Sequence, residues 1–179
     1  LGAAFVFALL HIITISSDTS QSFLLKWYLI IWGIIGVGAF LYRTVFGGIL
    51  VKRVPYKDKR VIIDGPMTMI ELLPMAKAMT FKAGQFIFIR FRWSENKGII
   101  NEAHPFSIAS GPQEEGIRLY VKALGDFTGN LRGLTEGTVA EVEGAFGRFT
   151  PARYGTAPQV WIAGGIGITP FLSMARSMP

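Results

Sequence analysis

Four short stretches place glycine or proline beside hydroxyl, aromatic or cationic residues in ways that could hold a ligand. In HPFSIAS, His104, Pro105, Phe106 and Ser107 follow one another, the proline stiffening the entry to an aromatic and a hydroxyl suited to a planar ring. Neighbours in extended chain point to opposite faces, so Phe106 and Ser107 should diverge unless a turn reorients one of them. An ordinary strand start fits this stretch equally well. In VKALGDFT, Lys122 shares a strand face with Tyr120, and Gly125-x-x-Thr128 turns into a short helix predicted to start near Thr128, capped by Asp126 or Thr128. N–H groups and a hydroxyl meeting at a helix start suit a phosphate; a plain capped helix is the alternative. EGAFG, 143–147, brackets an aromatic with glycines, as at a bend or a close ligand approach. GGIGITP spaces Gly165-x-Gly167-x-x-Pro170, with Thr169 before the proline, and departs from the dinucleotide fingerprint at its last position. After a strand and before a helix, such glycines let phosphate approach backbone N–H groups, and a pyridine nucleotide is favoured over a plain tight turn. The remaining candidate is His11, set in the apolar run LGAAFVFALLHIITIS. An imidazole in lipid is costly, so it is either an interfacial histidine bonded to a neighbour or an axial haem ligand.

The elements that must position these residues change along the chain. RVIIDG, MTMIELLPM, FKAGQFIFIRF, HPFSIAS, GIRLYVKAL and TVAEVEG have strand character and are separated by turn residues. With one helix between them, they predict an antiparallel barrel or sandwich. QVWIAGG then predicts a buried strand, and PFLSMARSM a helix with Pro170 at its first position. Together they resemble the opening βα unit of a doubly wound nucleotide-binding domain.

Composition separates a membrane portion from a globular one. The chain of 179 residues is 50% hydrophobic and 17% charged, and residues 1–46 carry only Asp18, Lys26 and Arg43. Two apolar helices are predicted, at about 1–15 and 23–46, joined by a polar loop. Trp27, Tyr28 and Tyr42 occupy interfacial positions, and Gly33, Gly36 and Gly38 thin one face for a neighbouring helix. Lys52, Arg53, Lys57, Lys59 and Arg60 crowd after the second run, which places that end in the cytoplasm and suggests an anchor at the inner membrane face. The net charge of +6 is thereby explained without nucleic acid, for which no motif appears. The absence of cysteine removes disulfides, iron–sulfur clusters and thiolate catalysis. Leu1 is not an initiator methionine and the chain ends at Pro179 in a helix-like segment, so a longer protein is expected.

The order GQF, HPFS, GDFT, GAFG and GGIGITP resembles the ferredoxin-NADP reductase-like flavoproteins, most closely their ferric reductase and NADPH oxidase branch. His104, Phe106 and Thr128 stand where soluble relatives carry Arg, Tyr and Ser. The resemblance implies a multi-domain chain: the end of a transmembrane haem-binding helical domain (1–50), a six-stranded antiparallel FAD-binding β-barrel (51–155) and the start of an NAD(P)-binding domain (156–179). It implies that Phe106 packs on the isoalloxazine and Ser107 bonds near its N5 edge, these two being the catalytic candidates. It places His104 and Lys122 by the ribityl or pyrophosphate, Gly125 to Thr128 around the pyrophosphate, and Gly165, Gly167 and Thr169 along the NADPH path. His11 takes the position of an outer-haem ligand, with haem b held between this helix and others of the same protein.

The expected activity follows. Electrons would run from cytosolic NADPH or NADH through FAD to transmembrane haem and an outer-face small-molecule acceptor, ferric iron first and oxygen second, in a multi-pass cell-membrane protein. A haem-free, membrane-anchored flavin reductase is the rival enzyme, and a non-catalytic membrane module the rival of another class.

Overall fold

In FIFIRFR every second side chain is apolar and the rest are aromatic or charged, the pattern of a strand with one face on a core. Burial follows the pattern: Ile87, Ile89 and Phe91 are fully enclosed. The computed structural model describes residues 7, 10–11, 22–42, 44, 51–92, 98–99, 101–155 and 158–178. It separates into two units, Leu1–Lys52 and Arg53–Pro179.

The first unit contains helix α1, Phe23–Leu41, whose N-cap Ser22 accepts the Leu25 N–H at 3.4 Å. Its 19 residues have a mean hydropathy of 1.9, and among the described residues it is the one helix long and apolar enough to cross a membrane. At about 1.5 Å per residue it is close to the thickness of a hydrocarbon core. Aromatic rings pack along it at i,i+4, Phe23 on Trp27 and Tyr28 on Trp32, both edge-on at 6.2 Å. Of the first apolar run, only Phe7, Leu10 and His11 are described, and all three are helical. The rest of that predicted helix and most of the polar loop lie outside the described residues.

The second unit is built on β1 (Arg53–Asp64), β2 (Met67–Pro74), β3 (Phe86–Arg92), β4 (His104–Ser107), β5 (Ile117–Lys122) and β6 (Val139–Phe146). They form one antiparallel sheet in the order β4-β3-β6-β1-β2-β5. The two edges meet just after β4: Ala109 N–H bonds the Arg118 carbonyl at 2.9 Å, and Arg118 N–H bonds Ser110 Oγ at 3.1 Å. The sheet is thus curled into a barrel around Tyr56, Ile70, Leu72, Ile87, Phe91 and Leu119. Each such side chain withdrawn from water contributes roughly 1.5–3 kcal/mol.

Four of the five cations read as a membrane-proximal anchor, Arg53, Lys57, Lys59 and Arg60, lie in β1. Arg53 meets Glu143 at 3.5 Å and Lys59 meets Glu71 at 3.9 Å, so this stretch is barrel wall and not a free linker. Tyr56 and Asp58 between them are buried, as period-two alternation requires.

Two further expectations change. Helix α2 spans Asp126–Asn130, starting two residues before Thr128, with Gly125 as its N-cap residue. Thr128 caps from inside, its hydroxyl accepting the Leu124 and Gly125 N–H groups at 3.0 and 3.1 Å, so Asp126 is not the cap. QVWIAGG is not a buried strand: it is unpaired, and Val160 and Ile162 are 88% and 87% exposed. A strand gains its ladder only from neighbours, and no described residues pair with it. The helix after it is present as α3, Thr169–Arg176, entered through a 3₁₀ turn at Gly165–Ile168.

α3 is fastened to the barrel by polar bonds at its back. Ser173 Oγ donates to the Ser110 carbonyl at 2.7 Å, the Arg176 guanidinium donates to the Ala109 carbonyl, and the Gln113 amide donates to the Arg176 carbonyl. Gly84 allows a second close approach. A Cβ there would sit 2.1 Å from the Phe149 carbonyl oxygen and 2.4 Å from Met174 Cε, and its φ of +91° favours glycine.

Candidate functional site

β4 is four residues long and lies at a sheet edge, so a groove running beside it can touch side chains from both faces. That resolves the divergence expected within HPFS. Register places Phe106 opposite Ile87 and Ser107 opposite Phe86, on opposite faces as alternation demands. Both nonetheless line one cleft of about 320 Å³, near the lower end of the range of roughly 300–1,000 Å³ for small-molecule sites.

The cleft gathers residues from distant parts of the chain. β4 supplies Pro105, Phe106 and Ser107; β5 supplies Tyr120 and Lys122. Leu124 and Thr128 come from the turn into α2, and Ile166, Gly167, Thr169 and Pro170 from the entry to α3. A neighbouring hollow of about 320 Å³ shares Tyr120, Lys122, Ile166 and Thr169 and adds Gly165. Among the described residues, Lys122 is the only charged one lining either, and it is exposed, so both present positive charge to a ligand.

The other candidates are placed as follows. Gly125 does not line the cleft; it is the N-cap of α2, with its N–H on Thr128. His104 is also outside, its ring stacked on Phe127 with centroids 3.6 Å apart and planes at 20°. Phe127 is in turn stacked on Phe106 at 6.5 Å and 26°. His104 therefore supports the ring behind Phe106 and the turn that carries Thr128. Its Nε2 is buried with no hydrogen-bond partner among the described residues. Two groups read as phosphate donors are engaged locally: Gly167 N–H bonds the Gly164 carbonyl at 3.0 Å, and Thr169 Oγ1 donates to the Ile166 carbonyl at 3.0 Å. Gly165 keeps a left-handed φ of +53° that makes the turn possible. His11 lies in the other unit, helical and exposed.

Sequence reasoning missed Phe127, Leu124 and Ile166. Tyr120 was available from its alternation with Lys122, whereas the Phe127 stack depends on where α2 lands. Among the described residues no group of three or more His, Cys, Asp or Glu side chains could hold a metal ion.

An aromatic ring, hydroxyls and one cation lining the same cleft suit a planar ring joined to phosphates. Comparison with known proteins agrees with a flavin-binding barrel. Residues 59–147 match the model of an FAD-binding domain. Beyond that match, the chain is similar in sequence to NADPH oxidases and in fold to ferredoxin-NADP reductase-like proteins. It is 31% identical over 124 residues to NADPH oxidase 1 of Mus musculus, an alignment covering 65% of this chain and 20% of the oxidase. In fold, it is similar to the Amycolatopsis cytochrome P450 reductase GcoB, with a TM-score of 0.59 and 24% identity over 70% of this chain and 38% of that one. The Neisseria gonorrhoeae ferredoxin NADP+ reductase, solved with bound FAD and NADP, gives 0.56 and 22% identity over 70% of this chain and 51% of that one. The barrel seen here thus shares the fold of those reductases, and the chain spans about a fifth of the length of the NADPH oxidase 1 sequences it matches.

Proposed function

We propose that this chain carries the flavin-holding part of a membrane oxidoreductase that moves electrons from NAD(P)H through FAD to an acceptor across the membrane. The observation that carries the reading is the single cleft that collects Phe106, Ser107, Lys122 and Thr128 with the Gly167–Pro170 turn. When bound, FAD accepts the two electrons of a hydride and releases them singly, which a one-electron acceptor needs. In this reading Phe106 offers the face on which the ring packs, backed by Phe127 and His104. The Ser107 hydroxyl is available to the ring edge. Lys122 attracts the pyrophosphate, and Thr128 holds the Leu124–Gly125 backbone in the shape that borders it. The hollow beside Gly165, Ile166 and Thr169 is where the nicotinamide nucleotide would approach.

α1 supports a membrane location for the whole protein, with further helices of the same protein as its neighbours and the flavin barrel on the cytoplasmic side. Haem b would be ligated by His11 and by a second imidazole from a helix other than α1. The sequence alone puts ferric iron first among acceptors; the similarity to NADPH oxidase 1 favours oxygen, reduced to superoxide.

Anaerobic addition of NADPH or NADH to the protein in its membrane tests this. Bleaching of flavin absorbance, followed by superoxide formation on admitting air, is expected. A flavin that stays oxidised contradicts the reading. Ferric-chelate reduction without superoxide would assign iron instead, and flavin reduction with no bis-histidine haem spectrum would support the haem-free reductase.

A further inference from the structure

A separate cavity, of about 710 Å³, lies where the loop between β2 and β3 faces the chain leaving β6. It shares no residue with the cleft beside β4. Thr80, Lys82 and Gln85 form one wall, and Arg148, Thr150 and Arg153 the other. The walls are pinned together. Gln85 accepts the Lys82 N–H at 2.8 Å through Oε1 and donates through Nε2 to the Gly147 carbonyl at 3.1 Å. Gly84 beneath them packs against the Phe149 backbone with no room for a Cβ.

This cavity gathers more cations than the cleft beside β4 or its neighbouring hollow, where Lys122 is the one charged residue among the described ones. Arg53, Arg92, Arg118 and Arg176 each face a glutamate. Lys82, Arg148 and Arg153 line one hollow, and among the described residues its lining has no acidic group and none of the three has an ion pair. Three like charges bordering one hollow raise the local concentration of anions there. Guanidinium forks with nearby threonines and a carboxamide are the donor set for phosphate oxygens. A concave site of this volume takes a small molecule in preference to a flat macromolecular face.

We propose that this cavity binds a multiply charged phosphate group of a small molecule, independently of the flavin cleft. A free polyphosphate such as a nucleoside diphosphate and a phosphorylated lipid headgroup present the same chemistry. Calorimetry on the full chain in micelles, with the flavin cleft saturated by FAD, uses sodium tripolyphosphate as the first probe. Saturable, salt-sensitive binding is expected, weakened about tenfold or more by Arg148→Gln with Arg153→Gln, and less by Lys82→Gln alone. Lys122→Gln should leave it unchanged. ADP and inositol trisphosphate then separate the sources: whichever binds more tightly identifies a nucleotide or a lipid headgroup. Retention of FAD by the Lys82, Arg148 and Arg153 variants, and an unchanged melting temperature for Lys122→Gln, confirm that the barrel is folded. Absence of tripolyphosphate binding, or equal binding by the paired arginine variant and the parent, overturns the proposal.

Discussion

Replacing Asp58 with asparagine should remove a pH-dependent weakness from the barrel. The side chain is 1% exposed at an irregularity in β1, where pairing with β2 shifts between Asp58 and Arg60. Oδ1 accepts the Arg60 N–H at 3.1 Å, while Oδ2 is buried with no hydrogen bond among the described residues. Burial pushes the carboxyl up to about 6, opposed by the Arg60 N–H and reinforced by the charge of Glu136. Because the folded pKa is the higher, the sign is fixed. Below about pH 4 both states are protonated and nothing is lost; between about 4 and 6 the unfolded chain releases its proton first and stability falls; above about 6 the full penalty remains. A shift of about two units at roughly 1.4 kcal/mol each gives a penalty on the order of 3 kcal/mol at neutral pH. The Asp58→Asn side chain brings its own cost, an amide placed where Oδ2 finds no partner, but that cost does not titrate. The informative quantity is therefore the stability difference between variant and parent at neutral pH minus that near pH 4. Urea unfolding followed by the circular dichroism of the sheet measures it. The reasoning predicts a change of up to about 3 kcal/mol in favour of the variant as pH rises; a difference flat with pH refutes it.

Three other substitutions test separate parts of the account. Gly84→Ala must relieve a 2.1 Å approach to backbone at a left-handed φ, so a loss of about 3 kcal/mol or more in denaturant unfolding is expected. Thr128→Ala removes the acceptor for two N–H groups and should cost about 1 kcal/mol of stability, with a weaker FAD dissociation constant measured by fluorescence titration. Lys122→Gln should weaken FAD binding and flatten its salt dependence without altering the melting temperature, since the side chain is exposed and makes no ion pair among the described residues.

The barrel was legible because its strands are half-buried. MTMIELLP, FIFIRFR and IRLYVK bury alternate residues in the expected phase. Phe106, Ser107, Thr128 and the Gly167–Pro170 turn could be picked out from their motifs, since glycine, proline and hydroxyl residues mark turns whose chemistry is local. What depends on register or docking was not. Nothing in HPFS or GDFT says that the His104 ring will lie on Phe127, because that follows from where α2 settles against β4. The apolar run QVWIAGG reads as a strand by composition, yet strand formation is a property of pairs, and its partner is not in its own sequence. The cation cavity combines Lys82 with Arg148 and Arg153, brought together only by the close approach at Gly84.

Equilibrium titration of the purified full chain with FAD tests the central claim most directly. The account predicts stoichiometric binding with quenched flavin fluorescence, and marked weakening by Phe106→Ala in a protein whose sheet remains folded. FAD that fails to bind the parent, or that binds the Phe106 variant as tightly, would contradict it.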